Sequence, residues 1–209
     1  MTVEKFVEAL VRPEIRALSA YHVPPATGMI KLDAMENPFS WPETVKQRWQ
    51  EALANAEINR YPDPSAAALS AGLKKAMQVP DQYGVLLGNG SDEIIQLLAM
   101  ALAQEGRGIL APEPGFVMYK MIATFVGMGY TGVPLAPDFD LDLPAMLEAI
   151  KADEPALIFL AAPNNPTGNV FGIDKVRAII EASDALVVVD EAYIAFTKAD
   201  HLHLLDEYD

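Results

Sequence analysis

The chain has 209 residues, 51% of them hydrophobic and 21% charged, and its 15 basic and 29 acidic side chains leave a net charge of −14. That length can bury a sizeable core, and the composition excludes a disordered chain, a collagen-like fibre and a low-complexity linker. The acidic excess disfavours nucleic-acid phosphates and anionic membranes, and the absence of cysteine excludes disulfides, zinc ribbons and thiol catalysis.

From the N-terminus, residues 1–21 carry Glu4, Glu8 and Glu14 and have no charge-free apolar core, so they do not read as a signal peptide. No run of 18 apolar residues follows, and a cytoplasmic protein with no membrane or nucleic-acid partner is expected. The first 35 or so residues suggest one short amphipathic helix, then Pro24-Pro25 and irregular chain. Residues 1–37 are expected to form an arm and part of a smaller α+β domain, and residues 38–209 a larger one.

Val45, Trp49 and Leu53 recur at helical spacing, with Ser40 and Glu43 offering a capping box. Leu69, Leu73 and Met77 repeat that spacing after Ser65. From Gly84 onward short apolar runs alternate with helix-period segments. The runs are residues 84–88, 108–112, 130–134, 156–160 and 185–190. Four to six apolar residues without polar alternation suit strands buried on both faces of a parallel sheet. Helices are predicted after Ser91, around Pro144 as a first-turn proline, and after Asp174 as an N-cap. Strand alternating with helix predicts an α/β fold, a three-layer sandwich around a mostly parallel sheet.

Three motifs fall at strand ends. Gly88-Asn-Gly-Ser-Asp-Glu93 is a glycine-rich turn opening a helix, where free N–H groups and the helix dipole suit a phosphate. A dinucleotide fingerprint would need a third glycine where Glu93 stands, so a single phosphate monoester fits better, and a plain capped helix is the bland alternative. Ala162-Pro-Asn-Asn-Pro-Thr-Gly168 is a tight turn where α/β sheets bind ligands, and its two asparagines between prolines suggest an amide held for use or a purely structural turn. Val187-Val-Val-Asp-Glu-Ala-Tyr193 ends a buried strand on Asp190, which is costly unless it meets a cation or a donor. A metal-binding aspartate of the Walker type lacks its partner loop, and His201 with His203 offers no third metal ligand, so no metal is expected.

In this order and on successive strand ends, the three motifs resemble the pyridoxal-phosphate aminotransferases of fold type I. Lys31-Leu-Asp-Ala-Met-Glu-Asn-Pro38, Asn59-Arg-Tyr-Pro-Asp63 and Glu113-Pro-Gly-Phe-Val-Met-Tyr119 are similar, more narrowly, to the histidinol-phosphate aminotransferases. The likeness runs from about Tyr21 to Tyr193. It implies pyridoxal 5'-phosphate as cofactor and amino transfer from L-histidinol phosphate to 2-oxoglutarate. Aromatic aminotransferases and threonine-phosphate decarboxylases share the same cofactor motifs. Gly90, Ser91 and Asp92 would hold the phosphate, Phe116 would stack on the pyridine ring, and Asn165 and Tyr193 would donate to its phenolic oxygen. Asp190 would pair with the protonated ring nitrogen. Tyr61 would reach the phosphate of a neighbouring subunit, implying a homodimer with shared sites. Tyr21 and Asn37 would stand at the substrate entrance. Ala34-Met35-Glu36 departs from the usual pattern, in which Asn-Glu follows the alanine.

The Schiff-base lysine of that family is expected about 30 residues past Asp190, beyond Asp209, and Lys198 lies too close and in the wrong context. The chain is therefore expected to be the N-terminal three fifths of a longer enzyme. If it did end at Asp209, a non-catalytic binding module on the same fold would be the alternative.

Overall fold

The computed structural model describes residues 2–19, 25–31 and 36–208. It divides into two compact units, Met1–Tyr21 with Leu86–Asp209 and His22–Val85. In the first, four of the five predicted strands form: β1 (Ile109–Glu113), β2 (Tyr130–Pro134), β3 (Leu157–Ala161) and β4 (Leu186–Asp190). All pair in parallel, in the order β2-β1-β3-β4.

The fifth run, Gly84-Val-Leu-Leu-Gly88, is not a strand, which corrects the prediction. An apolar run becomes a strand only by hydrogen bonding along an edge. No described strand takes this one, and Leu86 stays exposed.

Helices lie on both faces of the sheet. Ile109 and Ala111 of β1 and Leu157 and Phe159 of β3 pack with α5 (Ser91–Leu102) and α6 (Met118–Val126). The alternate residues Leu110, Ile158 and Leu160 pack with α7 (Leu143–Asp153) and α8 (Ile173–Glu181). Side chains of a strand alternate between faces, so a continuous apolar run serves both layers at once. The expected three-layer α/β arrangement is the one observed.

Local signals differ from expectation at several helix ends. Asp142 caps α7 by accepting from Ala145 N at 3.1 Å, with Pro144 in the first turn as predicted. Asp174 lies inside α8, whose N-cap is Gly172, because the chain turns helical two residues earlier. Arg12, between α1 (Val3–Leu10) and the short α2 (Pro13–Arg16), donates to the carbonyls of Thr124 and Phe125 at the end of α6. A cation there suits the negative end of the helix dipole.

The second unit holds α3 (Glu43–Ala54) and α4 (Ala67–Met77). Pro42 rather than Ser40 precedes α3, with no side-chain cap. Before α4 the Asp63 carboxylate accepts from Ser65 N, Ser65 Oγ and Ala67 N. Trp41 and Trp49 meet edge to face at 6.0 Å, yet neither helix buries a single residue. No helix among the described residues is long and apolar enough to cross a membrane.

Candidate functional site

The sheet creates its crevice by a change of winding direction. β1 connects to β2 on one side, and the chain then crosses back to place β3 on the other. Ligands of open α/β sheets bind at such a switch, outside the C-terminal strand ends. Here the gap is widened by sequence. Ile109 N donates to Gly129 O and Glu113 O accepts from Leu135 N, so the odd residues of β1 turn their backbone groups toward β2. Even residues, Pro112 among them, face β3, and proline has no N–H to give. The β1–β3 register accordingly stops at Leu110↔Ile158, whereas β3 and β4 stay paired to Ala161↔Asp190.

One side chain spans the opened gap. Asn164 Nδ2 donates to Pro114 O at 3.0 Å and to Thr167 Oγ1 at 2.7 Å, tying the loop after β1 to the loop after β3. Its backbone accepts from Gly168 N and donates to Asn169 O, closing the Pro-Asn-Asn-Pro-Thr-Gly turn on itself. Gly168, at φ +75°, takes the left-handed conformation that the return requires. Asn164 is buried, and its Oδ1 has no hydrogen-bond partner among the described residues.

Around this gap lies a small cleft lined by Ser91, Phe116, Ala161, Pro163, Asn165, Asp190, Ala192 and Tyr193. Five of the residues singled out from the sequence, from four separate stretches of chain, thus share one surface. Gly90 and Asp92 flank Ser91 without lining it. Gly90 precedes α5 at φ +83° and ψ 174°, backbone open essentially to glycine alone, and no side chain caps the helix. Its first-turn N–H groups therefore remain available donors. Glu93 folds back instead, accepting from Asn89 N at 2.6 Å, which explains an acid where a dinucleotide site would carry glycine.

Asp190 ends β4 half-buried. Its Oδ1 accepts from Ala192 N at 3.1 Å and its Oδ2 from the Tyr119 hydroxyl at 2.8 Å. Each oxygen retains a lone pair for a further donor. Tyr119, buried, stacks on Phe159 at 4.6 Å and meets Phe116 edge to face at 5.5 Å. Its ring belongs to the core, and what the sequence does not show is the role of its hydroxyl, whose partner lies 71 positions away. Burial first, and Asp190 second, push the Tyr119 hydroxyl far above its ordinary pKa, so it stays a donor at any working pH.

Three other predicted residues lie in the second unit or outside the described residues. Asn37, in the second unit, accepts from Phe39 N at 3.0 Å in a local turn. Tyr61, also in that unit, is fully exposed. Tyr21 lies outside the described residues. His201 precedes a 3₁₀ turn, where its buried ring places Nδ1 2.8 Å from Glu191 Oε1.

A profile of the class I and II aminotransferases matches residues 27–209. The chain belongs to that family. This aminotransferase chain is 59% identical to the histidinol-phosphate aminotransferase of Thiocapsa roseopersicina, over 88% of its own length and 98% of that relative. It is 50% identical to histidinol-phosphate aminotransferase 2 of Nitrosococcus oceani, over 95% of its length but 55% of that relative. Against several of its curated relatives it thus spans little more than half their length. Its fold is similar to that of the histidinol-phosphate aminotransferase from Clostridium acetobutylicum, with a TM-score of 0.71 at 23% identity, over 82% of this chain and 51% of that one. The Sinorhizobium meliloti enzyme, solved with pyridoxal 5'-phosphate, gives 0.71 at 24% identity, over 87% and 50%.

Proposed function

We propose that this aminotransferase chain carries the cofactor-binding face of a histidinol-phosphate aminotransferase, moving an amino group from L-histidinol phosphate to 2-oxoglutarate with pyridoxal 5'-phosphate. The observation that carries it is the convergence of Ser91, Phe116, Asn165, Asp190 and Tyr193 on one cleft at the switch point. The names of the most similar relatives supply the substrate.

The residues present fit that cofactor. Asp190 keeps acceptor capacity beside an aromatic wall, Gly90 opens an uncapped helix N-terminus, and Asn165 offers an amide at the rim. Bound there, pyridoxal phosphate supplies an electron sink for the bond broken at the substrate's amino carbon. The protein's part is to hold it. N–H groups of the Gly90–Asp92 turn bind the phosphate dianion with help from the helix dipole. Phe116 stacks on the ring plane. Asn165 and Tyr193 donate to the phenolic oxygen, and Asp190 holds a proton on the ring nitrogen.

The same reading places the protein in the cytoplasm as a homodimer, with Tyr61 reaching a neighbouring subunit's phosphate and Tyr21 and Asn37 at the substrate entrance. Its support is the full exposure of Tyr61 and the aromatic surface around Trp41 and Trp49. The test is glutamate formation, followed by proton NMR, from 2-oxoglutarate and L-histidinol phosphate with a protein carrying this chain and added cofactor. L-phenylalanine and threonine phosphate run in parallel. Faster turnover of either sinks histidinol phosphate as the substrate, and no response to pyridoxal phosphate sinks the cofactor assignment.

A further inference from the structure

An aspartate at a strand end has two rotatable side-chain bonds, and pairing with a ring nitrogen needs its carboxylate in one orientation. Two hydrogen bonds restrain Asp190 among the described residues. The bond from Ala192 N comes from two residues on in the same turn, so it moves with the turn. The bond from Tyr119 comes from a different layer. Its ring is parallel to Phe159 within 7°, on the strand between β1 and β4, and is only 1% exposed. The hydroxyl at the end of a ring so enclosed has almost no freedom. That same ring meets Phe116 in a T-shaped contact, with centroids 5.5 Å apart and an interplanar angle of 87°.

We propose that Tyr119 is the positioning residue of this site: one enclosed side chain orients the Asp190 carboxylate by its hydroxyl and sets the Phe116 ring by its T-shaped contact. It touches no ligand itself. It acts through Asp190 on the ring nitrogen and through Phe116 on the ring plane, so that nitrogen partner and stacking surface keep a fixed mutual geometry. The proposal rests on the cofactor reading above. It assigns the hydroxyl, and not merely the ring, a part in recognising a protonated pyridine.

Two ligands separate this from a packing role: pyridoxal phosphate, and its analogue with carbon in place of the ring nitrogen, which cannot use Asp190. Affinities are read by equilibrium dialysis for the wild-type protein, Tyr119→Phe, Asp190→Asn and the double variant. Tyr119→Phe keeps both aromatic contacts, and a cooperative thermal transition close to that of the wild type checks its fold. Loss of a hydrogen bond to a charged group predicts about tenfold weaker binding of pyridoxal phosphate and an unchanged affinity for the analogue. In the Asp190→Asn background the same change should then add little, because the two residues act as one unit. Equal weakening of both ligands, or of neither, overturns the proposal while leaving the cofactor reading intact. A wild-type protein that binds the two ligands equally overturns the proposal alone, and one that binds neither overturns the cofactor reading as well.

Discussion

The two units obey the same local rules and reach opposite degrees of burial. In α5 and α6, apolar residues at helical spacing (Ile95, Ala99, Tyr119, Ile122, Ala123) are almost wholly buried against β1 and β3. In α3 and α4, Trp49, Leu53, Leu73 and Met77 recur at comparable spacing and remain exposed. Periodicity therefore says that a helix has an apolar face, and it does not say whether this chain supplies the cover. The difference locates function as well, because a site needs side chains held rigid. Only the sheet-bearing unit holds them so.

If that contrast is physical, Phe159→Ala should be the most damaging single change. It removes a fully buried ring and the support of Tyr119, at a cost of about 3–5 kcal/mol in denaturant unfolding. A loss as small as that of an exposed residue would break the comparison. Gly108→Ala should come next, at about 1–3 kcal/mol, because the new β-carbon would lie 2.7 Å from the backbone oxygen of Gly129. Asn164→Ala removes the tie across the β1–β3 gap and should cost about 1–2 kcal/mol. It should also loosen the cleft, seen as faster amide exchange in the loops after both strands. Exchange confined to the β3 loop would show that the two loops are independent. Trp49→Ala in α3, on an exposed face, should lower the stability of this chain by less than about 1 kcal/mol.

The smallest expected effect is electrostatic. The Lys175 ammonium, 2.9 Å from Asp140 Oδ2 and hydrogen-bonded to it, holds that carboxyl below its ordinary pKa. A depressed folded-state value means that the stabilisation is present above the unfolded carboxyl's pKa and is lost as pH falls through the folded one. Lys175→Met should therefore destabilise modestly at neutral pH and flatten the acid limb of the stability curve, with no difference at pH values below both. A constant difference across the acid range would count against the pair.

Much of the site could be read from residue types. Asp190 announces itself as a charge ending a buried strand, and the Asn165 turn by its prolines and glycine. Pro112 was equally visible in the sequence, yet its effect depends on which neighbour its missing N–H would have faced, and that is fixed by pairing with β2 and β3. The Tyr119 hydroxyl and the Asn164 tie were illegible for a related reason. Their partners lie 71 and 50 positions away, and no local pattern encodes such a distance.

By itself the sequence determined the alternation of strand and helix, the three-layer class and the strand ends where polar residues gather, because these follow from periodicities of a few residues and from backbone limits on glycine and proline. Tertiary structure alone decided that residues 84–88 form no strand, that the helices of one unit are covered and those of the other bare, and that Tyr119 reaches Asp190. Each of these depends on what a segment meets across space, and hydrogen bonds and buried contacts are made only when both partners arrive.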